Sequence, residues 1–109
     1  MIRLKVWRKQ KHITSFELSG HAESGPYGYD LVCAGVSAVS FGAVNAVIAL
    51  CGIDLEISQQ QDGGYLHVAI PDITERKVGD EVQLLLEGML VSMETIERDY
   101  SQFITIEQK

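Results

Sequence analysis

Residues 30–52 read DLVCAGVSAVSFGAVNAVIALCG, and the reading of this run decides the fold. It opens on Asp30, closes on Gly52 and carries no charged residue in between. As a helix, the run from Leu31 to Cys51 would extend roughly 30 Å at about 1.5 Å per residue. Asp30 is placed to cap it by accepting from the amide of Val32 or Cys33, and Gly52 to stop it in the left-handed conformation. A helix of that length also spans a bilayer. However, Ala, Gly and Ser supply much of it, Asn45 sits inside it, and Asp30 and Asp54 stand where basic or aromatic anchors belong. The expectation is a helix buried in a soluble core, with no membrane partner. Its small residues Gly35, Ala38, Gly42, Ala46 and Ala49 are expected to let a neighbouring helix or sheet approach closely.

The segments on either side have different periods. Upstream, Ile2, Leu4 and Val6 alternate with Arg3, Lys5 and Trp7, the period of a half-buried strand. After the polar turn Lys9-Gln10-Lys11, residues Ile13, Phe16 and Leu18 mark a second strand reaching about Gly20 and pairing with the first as a hairpin. Downstream, Leu55 and Ile57, then Leu66, Val68 and Ile70, predict a second hairpin around the turn at 61–64. Val82, Leu85, Leu86, Met89, Met93 and Ile96 recur at helical spacing and predict a long amphipathic helix. It is expected to begin near Asp72, whose spacing to Glu75 resembles a capping box. Phe103, Ile104 and Ile106 supply a last strand. The predicted fold is α/β of the α+β type, in the order ββαββαβ. Its two helices pack on one face of a mostly antiparallel sheet of about five strands, forming one domain over residues 1–109.

The formal net charge is −6, which opposes nonspecific grip on a phosphate backbone and favours a basic protein partner over nucleic acid. The first ten residues alternate charged and apolar and lack the apolar stretch of a secretory signal, so the expected location is the cytoplasm. Cys33 and Cys51, 18 residues apart on one helix, would lie roughly 27 Å apart, which excludes a disulfide between them. Two reduced thiols fit the cytoplasm. No Cys-x-x-Cys pair, second histidine near His21 or phosphate-loop spacing is present, so neither metal nor cofactor is expected.

The remaining chemistry lies in residues 20–33, GHAESGPYGYDLVC. Cys33 falls in the first helical turn, where free amides and the helix dipole favour a thiolate. His21 follows the second strand, and the intervening loop is short enough to bring imidazole and thiol together. The histidine would stabilise the thiolate and later protonate a leaving amine, with first-turn amides holding an oxyanion. A lone cysteine in an Ala- and Gly-rich helix also packs as an ordinary small hydrophobe, so spacing alone leaves both readings open. His12 in the hairpin turn and His67 in its strand read as solvated or marginal, and Cys51 as structural.

Gly20-His21-Ala22 and residues 28–37, GYDLVCAGVS, resemble the two halves of the motif of the ribosomal-processing cysteine protease family, Prp. Gly63-Gly64-Tyr65 is similar to the family's second hairpin, and residues 84–89 and 96–100 to its closing helix, so the resemblance covers essentially the whole chain. It implies a cytoplasmic cysteine endopeptidase that removes a short N-terminal extension from large-subunit ribosomal protein twenty-seven during ribosome assembly. Cys33 would be the nucleophile and His21 the general base. It further implies cleavage after a hydrophobic, phenylalanine-containing stretch, a homodimer, and a mobile lid between the two motifs. Asp30 and Ser37 match positions near the dyad. Asp30 would orient His21 or cap the helix, and Ser37, one turn after Cys33, would line the site or pack.

Gly20 and Gly28 would let the lid open, and a β-branched residue at either is expected to slow turnover while leaving the fold intact. Two other functions compete: a noncatalytic ribosome-assembly adaptor binding a basic ribosomal protein, and a hydrolase of small thioesters or amides.

Overall fold

The computed structural model describes residues 1–22, 25, 30–61 and 63–109. Gly28, most of the expected lid and Asp62 of the expected turn lie outside the described residues. The elements are β1 (Ile2–Lys9), β2 (His12–Ser19), α1 (Leu31–Cys51), β3 (Glu56–Gln59), β4 (Tyr65–Ala69), α2 (Arg76–Asp99) and β5 (Ile104–Gln108). They form one five-stranded sheet in the order β3-β4-β2-β1-β5. Every pair is antiparallel except β1 with β5, which the crossover through α2 makes parallel.

Alternation places Ile2, Leu4 and Val6 of β1 inward, where they are buried. In β2 the inward residues are Ile13, Phe16 and Leu18, a spacing of three and then two that strict alternation does not allow. The register explains it: Arg8 faces Ile13 while Trp7 faces Ser15, so Thr14 is an extra residue in a β-bulge. The carbonyl of Thr14 instead accepts from the amide of Ile70 at 3.0 Å. The hairpin turn holds Gln10 (φ 52°) and Lys11 (φ 72°) in the left-handed region, matching the twist of the two strands. Arg8 secures this end. Its guanidinium donates to the Lys11 carbonyl at 3.0 Å, to Gln108 at 3.0 Å and through two nitrogens to both carboxylate oxygens of Glu87 on α2.

Both helices lie on the inward face of the sheet and share its core. From α2 come Val82, Leu86, Met89, Leu90 and Met93, each worth about 1.5–3 kcal/mol on full burial. From α1 come Val32, Val36, Ser40, Val44 and Val47. The buried Ser40 hydroxyl donates back to the Val36 carbonyl at 2.8 Å. By length and composition α1 could cross a membrane, yet this stripe is committed to the same core as the sheet.

Two expectations are corrected. Of the small residues of α1, Gly35 does meet α2, with Ile96 Cδ1 3.8 Å from where its Cβ would be. Ala38, Gly42 and Ala49 instead face outward, on the side opposite Val36 and Val47. An all-apolar helix has no polar stripe to mark its outer face, so composition could not orient it. Second, α2 begins at Arg76 with Glu75 at its N-cap, not at Asp72. Ile73 folds back to lie 3.8 Å from the position a Gly79 Cβ would take, so the chain before Glu75 packs on the helix rather than continuing it. No side chain caps this end. Strand limits shift by one residue: Leu55, Ile70 and Phe103 flank their strands.

Candidate active site

After β2 ends at Ser19, Gly20 takes φ 86°, a left-handed conformation that turns the chain out of the strand. A Cβ here would overlap the carbonyl oxygen of Met1, so the close approach of the two backbones also requires glycine. The Gly20 amide donates to the Gly64 carbonyl at 3.0 Å, and the Met1 amino group donates to the His21 carbonyl at 2.7 Å. These two bonds tie the backbone on either side of the histidine to the β3–β4 hairpin and to the start of β1. The imidazole is thereby carried on fixed backbone while its side chain remains exposed.

The thiol comes from the other direction. Asp30 is extended (φ −81°, ψ 99°), and its Oδ1 accepts from the Cys33 amide at 3.0 Å, the capping bond expected for an N-cap aspartate. Its carbonyl accepts the first helical bond, from Ala34 at 3.0 Å. Cys33 is thus the third residue of α1, at the positive end of the helix dipole. Its Sγ accepts from the Ala22 amide at 3.3 Å. A backbone donor and the helix terminus both favour negative charge on this half-buried sulfur.

His21, Cys33, Ser37 and Gly20 line one cleft of ≈ 240 Å³. Ser37, Ser40 and Phe41 form its α1 side, and Gln59, Gly64 and Tyr65 of the second hairpin form the opposite wall. Ser37 lies one turn beyond Cys33 on the cleft side of α1, lining the site rather than packing. Tyr65 is held by its hydroxyl, which donates to Glu17 at 3.0 Å, and this bond raises the phenol above its ordinary value. The other histidines are elsewhere. His12, exposed at the opposite end of β2, borders a separate cavity of ≈ 360 Å³ with Asp72 and Gln83. His67, half-buried, lies on the outer sheet face with its ring centroid 6.2 Å from that of Trp7. Cys51 is at the far end of α1.

Sequence reasoning missed the Ala22 amide and the walls of the cleft. A backbone donor leaves no mark on residue type, so Ala22 was not legible. Phe41 was, because Cys33, Ser37 and Phe41 recur every fourth residue along one side of α1.

A family model described as cysteine protease Prp matches residues 1–105. The ribosomal processing cysteine protease Prp of Bacillus subtilis is 48% identical over 107 residues, 97% of this chain and 96% of that one. Its namesake in Staphylococcus aureus is 43% identical over 97 residues, covering 89% and 88%. The structure of Prp from S. aureus with a covalently linked product peptide superposes with TM-score 0.92 at 40% identity, covering all of both chains. The same enzyme with a substrate peptide gives TM-score 0.85 at 39% identity, again over 100% of each. The matched residues include the cleft lined by His21 and Cys33, and the chain belongs to the cysteine protease Prp family.

Proposed function

We propose that this chain removes the short N-terminal extension of large-subunit ribosomal protein twenty-seven in the cytoplasm, with Cys33 as nucleophile and His21 as general base and acid. The carrying observation is that His21 and Cys33 line one cleft while the sulfur of Cys33, in the first turn of α1, accepts from the Ala22 amide. The relatives are named for ribosomal processing, and a net charge of −6 suits a basic ribosomal substrate.

The chemistry runs as follows. His21 takes the thiol proton, and the Cys33 thiolate attacks the scissile carbonyl carbon, forming a C–S bond and a tetrahedral oxyanion. The positive end of the α1 dipole, where Cys33 stands, favours the negative charge of that oxyanion. As the C–N bond breaks, the imidazolium of His21 protonates the departing amine, leaving a thioester on Cys33. His21 then removes a proton from water, which attacks the thioester. The acyl product leaves as a carboxylic acid, and the thiolate is restored. The test is incubation with a synthetic precursor peptide spanning the junction. Cleavage is expected from the wild type and none from Cys33→Ala, and cleavage that survives the substitution overturns the mechanism.

We also propose that the enzyme is a homodimer through the outer face of α1. Leu31 is 77% exposed there, and Ala34, Ala38, Gly42 and Ala49 form a bare strip narrow enough for a second helix to approach closely. Sedimentation should show a dimer that Gly42→Leu dissociates. A wild-type monomer at micromolar concentration would rule this arrangement out.

A further inference from the structure

The catalytic cleft opens toward an unpaired sheet edge. β3 is the outermost strand on that side, and among the described residues no strand flanks it. Its register shows which backbone groups are spare. Gln60 donates to the Tyr65 carbonyl at 3.2 Å, and Ser58 and Glu56 fall in register with His67 and Ala69. Because antiparallel pairs alternate, Glu56, Ser58 and Gln60 point their backbone groups at β4, while Ile57 and Gln59 point theirs away from it. The N–H and C=O of those two residues therefore form a strand-pairing template with no strand on it. On the helix-facing side, Ile57 is 40% exposed in a position where its partner Val68 is fully buried. Phe41 of α1, which shares the cleft with Gln59, is also 40% exposed, as is Ile48 two turns further along.

The edge and these apolar side chains begin at the cleft and lead away from it together. β3 recedes from Gln59 to Ile57 as α1 recedes from Phe41 to Ile48. We propose that one flank of the peptide substrate adds to this edge as a sixth strand. It pairs with the backbone of Ile57 and Gln59 and lays alternate apolar side chains over Ile57 against Phe41. The occupant is an extended segment of the substrate with apolar residues at every second position, because strand addition takes affinity from the main chain and specificity from alternate side chains. Crossing β4 and β3 from the sheet end that holds His21 takes about 14 Å at ~4.8 Å per strand, or roughly four extended residues. The paired segment is therefore some four residues or more from the scissile bond. This rests on the protease reading, since it takes the cleft as the site of cleavage.

The experiment measures binding to the Cys33→Ala protein, so that it does not depend on turnover. The probes are a precursor peptide extending eight residues on each side of the junction and two versions truncated to three residues on one side or the other. Truncating one side is expected to weaken binding at least tenfold, and Ile57→Pro, which removes an outward N–H without touching the β3–β4 ladder, to erase that advantage. As a check independent of folding, single N-methylation along the long peptide should weaken binding at alternate backbone positions only. Equal binding of all three peptides, or N-methyl effects without a two-residue period, overturns strand addition. A wild-type enzyme that cuts none of the peptides overturns the protease reading instead, because binding to the Cys33→Ala protein is read separately.

Discussion

The amide of Ala22 and the sulfur of Cys33 are joined by a 3.3 Å hydrogen bond, donor to acceptor, between the histidine-bearing segment and the first turn of α1. This contact links the two halves of the site directly, and it strengthens when the sulfur becomes a thiolate, since hydrogen bonds to charged groups are roughly twice as strong as neutral ones.

Cys33 should therefore alkylate with an inflection below the free-thiol value of about 8.5, and faster than Cys51 at neutral pH. Iodoacetamide labelling followed by mass spectrometry across pH 5–9 reads both thiols in one sample. Equal rates at pH 7 would show that neither the helix terminus nor the Ala22 amide activates the sulfur.

Asp30 has a defined structural task, because its Oδ1 accepts from the Cys33 amide. Asp30→Ala should cost about 1 kcal/mol, and Asp30→Asn only a fraction of that, since asparagine caps as well as aspartate. A thermal melt would show the difference as a few degrees. The same pair separates capping from catalysis. If Asp30→Asn keeps wild-type stability but displaces the pH–rate profile, the carboxylate also acts on the dyad; an unmoved profile leaves it a cap alone.

Gly20 departs from the earlier expectation that a larger residue there would slow turnover and spare the fold. Its φ of 86° and the overlap of any Cβ with the Met1 carbonyl mean that even alanine must separate β1 from the end of β2. Gly20→Ala is expected to lose about 1–3 kcal/mol of stability and to lower kcat by displacing His21. Activity and melting temperature should fall together, and a variant that melts like wild type would refute the close approach.

Much of this fold is legible in the sequence. Ile2, Leu4 and Val6 alternate because one sheet face is covered, and Asp30 and Gly52 bound α1 because capping chemistry is local. What was not legible depends on non-local packing. The bulge at Thr14 arises from pairing across β1, and the outward aim of Ala38 and Gly42 depends on where α2 lies. The Asp72–Glu75 spacing imitates a capping box, but the folding of Ile73 back onto α2 overrides it. For the cleft, residue types made His21 and Cys33 candidates, and both line it, while the Ala22 donor and the hairpin wall appear only once the strands are in register.

The Arg8–Glu87 pair gives the fold an acid-sensitive bond. The two-pronged hydrogen bond from Arg8 is the main influence holding the Glu87 carboxyl below its ordinary value of 4.5, against a smaller opposing effect of burial. A carboxyl depressed in the folded state contributes its full stability above the unfolded value and loses it as pH falls through the folded one. The Glu87 side chain is 42% exposed, so screening limits the pair to about 0.5–1 kcal/mol. Glu87→Gln should therefore be less stable than wild type at pH 7 by that amount, with the gap narrowing progressively below pH 4.5. Urea midpoints at pH 7, 4.5 and 3 measure it, and a difference that stays constant with pH would assign the loss to packing rather than to charge.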